Sequence, residues 1–166
     1  MKLKGSFVLK IAISACLLGK NVTWRGDHNL HLKVKEIVER YDPLLICPEV
    51  MGGLPISRSP SEIISSSPLL IKNKDGKDVT HEFYDGAMKC LKLLKAENVK
   101  IAILKANSPS CGNEKIYDGS FSHQLIEGQG VLVQLLKKEG IIVFNENQVE
   151  DMLEYIGKEE KKWDIF

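Results

Sequence analysis

The stretch Phe7-Val-Leu-Lys-Ile-Ala-Ile-Ser14 is apolar on both of its alternations, with only Lys10 breaking the run. A strand with one wet face alternates apolar and polar residues, whereas a strand covered on both faces reads as a nearly continuous apolar run. Three further runs have the same character: Leu44-Leu-Ile46, Val99-Lys-Ile-Ala-Ile-Leu104 and Ile141-Ile-Val-Phe144. Segments of helical spacing separate them. Leu30 to Tyr41 places Leu30, Val34, Ile37, Val38 and Tyr41 on one face and is stopped by Asp42-Pro43. Val79 to Glu97 does the same with Phe83, Ala87, Cys90, Leu91 and Leu94. Val131 to Lys138 is closed by Gly140, and Gln148 to Tyr155 reads as a short final helix.

Between these elements, Gly52 to Pro68 is rich in Gly, Pro and Ser and is expected to be a long loop with one helical turn at Ser61 to Ile64. Leu69 to Lys72 followed by Asp75-Gly76 reads as a small strand and turn. Buried strands alternating with helices predict a single α/β domain over residues 1–166, Rossmann-like, with a mostly parallel sheet flanked by helices. In such folds a ligand sits beyond the carboxyl ends of the strands.

The composition narrows the function classes. The chain has 166 residues, enough for one domain, with 23 Lys+Arg against 22 Asp+Glu and a formal charge of +1. That balance argues against a protein held to nucleic acid or to a membrane surface by bulk charge. No apolar run approaches the roughly 20 residues of a membrane span. Lys10 also interrupts the apolar start before a signal core can form, so a cytoplasmic protein is expected.

Four cysteines stand at 16, 47, 90 and 111, with no Cys-x-x-Cys pair. In a cytoplasmic chain this is not a disulfide framework, and the zinc-ribbon and thioredoxin spacings are missing. Cys16 follows the first strand, Cys47 directly follows Leu44-Leu-Ile46, and Cys111 lies in the loop after the third strand, between Pro109 and Gly112. Right-handed crossovers would bring these three thiols to one edge of the sheet. Cys90 instead lies on the apolar face of a helix and reads as a buried small hydrophobe. A phosphatase loop needs Arg six positions after its Cys, where this chain has Val22, Gly53 and Tyr117. A structural zinc site wants a fourth donor, for which His28, His31, His81 and His123 are candidates without helpful spacing. Three thiolates without a fourth protein ligand suit an iron–sulfur cluster with one open iron.

Five blocks occur in order: Ser14-Ala-Cys16-Leu-Leu-Gly19, Cys47-Pro-Glu49-Val-Met-Gly-Gly53-Leu-Pro55, Asp78-Val-Thr80, Leu104-Lys-Ala-Asn-Ser108-Pro-Ser-Cys111-Gly112 and Ile116-Tyr-Asp-Gly119-Ser-Phe121. Together they resemble the thiouracil desulfidase family, over residues of about 10–146. The resemblance implies a [4Fe–4S] cluster on Cys16, Cys47 and Cys111. It implies removal of sulfur from a thiolated nucleobase such as 2-thiouracil, giving the oxo base and sulfide. It maps a catalytic acid–base carboxylate to Glu49 and an assisting serine to Ser108; Ser110, in the same turn, is expected beside the substrate. The chain departs from the family's usual block after the first cysteine loop, carrying Thr23-Trp24-Arg25-Gly26. Trp24 is placed to stack on a flat base and Arg25 to hold an anionic group, so the expected partner is a small thiolated base or nucleotide. Two other readings stay open at this point: a sulfur carrier or iron–sulfur assembly component, and a zinc-bound thiol module.

Overall fold

β1 (Lys10–Ser14) runs down the middle of the molecule and leads through a 3-10 turn at Ala15–Leu18 to α1 (Leu32–Val38) and β2 (Asp42–Ile46). The computed structural model describes residues 8–163. After β2 come α2 (Pro48–Met51), the hairpin β3 (Ser61–Ser66) and β4 (Leu69–Asn73), and the long α3 (Thr80–Ala96). The remainder is β5 (Ile101–Leu104), the hairpin β6 (Lys115–Tyr117) and β7 (Leu125–Glu127), α4 (Val131–Lys138), β8 (Ile142–Asn145) and α5 (Val149–Trp163). Among the described residues, no helix is long and apolar enough to cross a membrane.

The main sheet has the order β2-β1-β5-β8, and all its pairings are parallel. Pro43 lies in β2, an edge strand, where its missing N–H costs no ladder bond on the open side. Neighbouring residues pair like with like: Ile11 opposite Ile101, Ala12 opposite Ala102, Ile13 opposite Ile103. Ile11, Ile13, Ile101 and Ile103 face α1 and α5, packing with Val34, Val38, Met152 and Ile156. Ala12, Ala102 and Leu104 face α3 and α4, packing with Phe83, Leu94, Leu132 and Leu136. The two-sided cover explains the unbroken apolar runs and matches the α/β expectation.

Several boundaries differ from the sequence reading. Ser61 to Ile64 is strand rather than a helical turn, because β3 pairs antiparallel with β4 and thereby buries Ile63 against Ile71. The segment 30–41 is helical only over Leu32–Val38, since His31 accepts a hydrogen bond from the Val34 amide and caps the helix there. The last helix runs on past Tyr155 to Trp163, supported by Glu154–Lys158 and Glu159–Lys162 pairs on its surface. The first strand begins at Lys10, and Phe7 lies outside the described residues.

α2 has only four residues, too few to hold itself together. It is fixed by a backbone-on-backbone crossing with α3. A Cβ on Gly86 would stand 1.8 Å from the Pro48 carbonyl oxygen, and one on Gly52 would stand 1.9 Å from that of Glu82. Gly157 in α5 has open space around it. Gly86→Ala is therefore expected to lower stability by about 2 kcal/mol or more through overpacking. Gly157→Ala should raise it by about 0.5–1 kcal/mol through helix propensity. Urea midpoints of the two variants check both signs.

Candidate functional site

β1, β2 and β5 end side by side, and each is followed within a turn or loop by a cysteine. Cys16 lies inside the 3-10 turn that follows β1, whose left-handed Gly19 (φ 85°) closes it. Its carbonyl accepts from the amides of Gly19 and Asn29, which pin the turn to the chain that follows. Cys47 is the extended N-cap residue of α2, and its thiol points toward the Val22 carbonyl at 4.0 Å. Cys111 ends the Asn107–Cys111 turn, in which Asn107 takes a left-handed φ of 66°. The Ser108 hydroxyl oxygen accepts from the amides of Ser110 and Cys111, both at 3.2 Å, which shapes this turn. The first amides of α4 then donate to Pro109 and Ser110 carbonyls and fasten it from behind.

All three thiols line one cavity of about 490 Å³ at the carboxyl ends of the strands. Cys90 does not line it. It is fully buried on α3, its thiol 3.3 Å from the Met51 sulfur, and burial pushes its pKa up to about 12. Burial also raises the Cys16 and Cys47 thiols above the ordinary range. It raises buried Cys111 well above that range, and the nearby charges of Cys47 and Cys16 add to the effect. Three such thiols lose their protons together only where a cationic group takes the charge, as metal binding does. Among the described residues, no three His, Cys, Asp or Glu side chains gather around one point as a single-ion site requires. A polynuclear centre binds each sulfur to a different iron, which suits three thiols that line one cavity.

Glu49 lies on the wall of the same cavity, in the first turn of α2. One of its carboxylate oxygens accepts from Arg58 Nε at 3.2 Å, the other from the Ser110 hydroxyl at 2.9 Å. Arg58 is nearly buried and also donates to the carbonyls of Pro55 and Val22, both at 3.0 Å. The Ser108 and Ser110 hydroxyl oxygens are 2.9 Å apart. Since the single proton of Ser110 is directed to Glu49, Ser108 is left to donate to Ser110. The order is then Ser108 to Ser110 to Glu49, with Arg58 on the far oxygen. The sequence expectation is that Ser108 assists Glu49 by holding substrate or water and that Ser110 lies beside the substrate. In the structure the buried Ser110 makes the direct contact and Ser108 stands behind it.

Trp24 and Arg25 both line the cavity at its open side. Trp24 is 45% exposed, and the Arg25 guanidinium lies 5.5 Å from its ring centroid. Arg25 also pairs with Asp27 at 3.1 Å, so its charge at the rim is partly compensated. Of the four histidines, His123 lines the cavity, while His31 caps α1 and His28 accepts from the Leu30 amide.

Two cations escaped the sequence reading. Arg58 stands in the Gly/Pro/Ser-rich segment, where a lone arginine between Ser57 and Ser59 carries no spacing signal. Lys105 directly follows β5, and that position at a strand end was the available clue. Its ammonium donates to Glu146 at 2.7 Å, while Glu146 also accepts from the Ala106 amide at 2.8 Å. The Lys105 amide donates to the Ser14 hydroxyl at 2.9 Å, tying the ends of β1 and β5 together.

A family model described as 2-thiouracil desulfurase matches residues 11–148. The chain is 38% identical over 150 residues to the uncharacterised protein YbbK of Bacillus subtilis (strain 168), covering 86% of this chain and 99% of that one. Among solved structures it is similar to the [4Fe–4S]-dependent thiouracil desulfidase TudS, with a TM-score of 0.83 and 36% identity. That match covers 90% of this chain and 98% of the other.

The Arg58–Glu49 pair gives a stability prediction. Both side chains are largely withdrawn from water, with 7% and 17% of their surface exposed. Arg58→Met removes the cation and leaves the carboxylate and two carbonyls unpaired, which should cost on the order of 3 kcal/mol. Adding Glu49→Gln to Arg58→Met should cost much less than Glu49→Gln does alone. A double-mutant cycle by denaturant unfolding should thus return a coupling of about 0.5–3 kcal/mol.

Proposed function

The chain belongs to the 2-thiouracil desulfurase family, and from that premise we propose that it is a [4Fe–4S]-dependent desulfidase converting a thiolated base such as 2-thiouracil into the oxo base and sulfide. The observation that carries this reading is the meeting of Cys16, Cys47 and Cys111 on one cavity wall system with Glu49 among them. The relative TudS is named for such a cluster and such a substrate.

Cys16, Cys47 and Cys111 would hold the cluster. When bound, the cluster supplies a Lewis-acidic iron with affinity for the substrate's sulfur, which makes the thiocarbonyl carbon electrophilic. The chain's own groups do the rest. Water adds through its oxygen to that carbon and gives a proton to Glu49 as general base. Glu49 gives that proton to the departing sulfur as the carbon–sulfur bond breaks, and the freed carboxylate takes the remaining hydroxyl proton and passes it to solvent, leaving a carbonyl on the base and sulfide as the other product. Arg58 and Ser110 fix the two carboxylate oxygens so that the orbital facing the water is held in place. Ser108 orders Ser110 from behind and shapes the Cys111 turn. Trp24 offers a face for the flat ring, and Arg25 offers donors to an anionic group on the substrate.

Anaerobically reconstituted protein should be brown and release many equivalents of sulfide per chain from 2-thiouracil. Release of one equivalent or none would leave a carrier. Cys→Ser at 16, 47 or 111 should lose iron, whereas Cys90→Ser should keep it. Glu49→Gln should keep the iron and lower turnover by about 10²–10⁴-fold. Full iron in Cys47→Ser, or near wild-type turnover in Glu49→Gln, would overturn the corresponding role.

The rim makes a finer expectation. Wild-type protein should prefer a thiolated nucleotide to the bare base, and Arg25→Ala should lose that preference by raising KM for the anionic substrate alone. Equal preference in both proteins would leave Arg25 as a partner of Asp27 and Trp24 only.

A further inference from the structure

The block Ile116-Tyr-Asp-Gly-Ser-Phe121 has no part in holding iron or in the chemistry assigned to Glu49. It forms β6 and the tight loop leading to β7, and Tyr117, Phe121 and His123 from it line the cavity. The loop is not built from comfortable backbone. Gly119 has φ +90°, and a Cβ there would come 2.8 Å from the Ile63 carbonyl oxygen. Phe121 and His123 have φ of 58° and 61°, a region that bulky side chains avoid. Such a conformation persists only when the surroundings over-determine it.

Asp118 holds the loop from within, its carboxylate accepting from the Ser120 amide at 2.9 Å, and the group that holds it from another element is Glu62 of β3. Its carboxylate is buried, and one oxygen accepts from the Gly119 amide at 3.0 Å and the Phe121 amide at 3.2 Å. These are charge-assisted bonds, stronger than neutral ones. At its base the loop is closed by the Asp118 amide donating to the Gln124 carbonyl at 2.9 Å. Glu62 therefore joins the two hairpins, β3–β4 and β6–β7, across the mouth of the site. It lines the cavity too, on a different element from Glu49.

We propose that Glu62 is a positioning residue for substrate: by accepting from the Gly119 and Phe121 amides it holds the Phe121–His123 wall against the cavity, and that wall selects the flat thiolated ring. The proposal rests on the desulfidase reading for its substrate and on the geometry alone for its clamp. The oxygen matters here as an acceptor, not as a base. A glutamine keeps an acceptor at that place, whereas an alanine does not.

The test compares Glu62→Ala, Glu62→Gln and Phe121→Ala with wild type, all reconstituted in the same way. Iron content should be equal in all four. With 2-thiouracil, Glu62→Ala and Phe121→Ala should raise KM about tenfold with kcat changed less than threefold, and Glu62→Gln should stay within threefold of wild type in both. Amide exchange over residues 117–124 should speed up in Glu62→Ala and not in Glu62→Gln. Unchanged KM in Phe121→Ala overturns the wall, and this holds even if Glu62→Ala fails to fold. Loss of kcat in Glu62→Gln equal to that in Glu62→Ala overturns the acceptor role in favour of a proton-transfer role. Should wild type turn over no thiolated base, the desulfidase reading fails. The clamp then stands or falls on the exchange rates, where equal exchange in Glu62→Ala and wild type refutes it.

Discussion

Parallel pairing of β1 with both β2 and β5 is the constraint on which the site depends. The register Ser14 opposite Ile46 and Ile13 opposite Ile103 brings the three strands to their ends at nearly the same height. Parallel strands need crossovers, and right-handed crossovers return the chain to the opposite edge each time, so every carboxyl end is free for a loop. The residues that follow those ends are then neighbours whatever their separation in sequence. That is how Cys16, Cys47 and Cys111 come to face one cavity although no local motif links them. The strands are held at that height by fully buried Ile11, Ile13 and Ile103 on one face and by Ala12 and Leu104 on the other. Each large buried side chain contributes about 1.5–3 kcal/mol, and together they set the edge rigidly enough for loops to build on.

What the loops build is a polar chain under cover. Arg58, Glu49, Ser110 and Ser108 follow one another by hydrogen bonds, and among the described residues no buried side-chain nitrogen or oxygen lacks a partner. A satisfied network of this kind fixes geometry because any other arrangement strands a donor or an acceptor away from water. Glu49 is thus held from three segments: its own short helix, the loop carrying Arg58, and the turn carrying Ser110. The short helix in turn depends on the Gly52–Gly86 crossing, where two backbones touch without a side chain between them.

The sheet is legible from residue pattern because burial on both faces erases alternation in the central β1 and β5, while the partly exposed edge strands β2 and β8 still carry short apolar runs. The cysteines were legible as a set because each follows such a run. Cys90 was set apart by its place on a helix face. Less legible were the features made by contact between distant segments. β4 is legible as the short strand from Leu69, but its partner β3 is not, because Ser61 to Ser66 is serine-rich and gains its apolar side only against Ile71. The β6 and β7 strands are three residues each, and Leu125 and Ile126 stay exposed, so no periodicity marks them. Arg58 carries no signal because its meaning lies in Glu49, and sequence order alone does not say which hydroxyl of Ser108-Pro-Ser110 points at the carboxylate. Ends of helices were misjudged where a side chain, as in His31, decides the boundary.

Both hairpins are insertions in crossover connections: β3–β4 between β2 and α3, and β6–β7 between β5 and α4. Neither contributes a strand to the main sheet. Crossover loops change length and composition without altering the register of the strands they join. The architecture thus divides its inheritance into two parts that can drift separately. The strand edge carries the thiols and is tied to a packed core, while the hairpins can be lengthened, shortened or recoloured at the mouth. In a fold built on this plan, the mouth can be reshaped hairpin by hairpin while the thiol-bearing edge keeps its register.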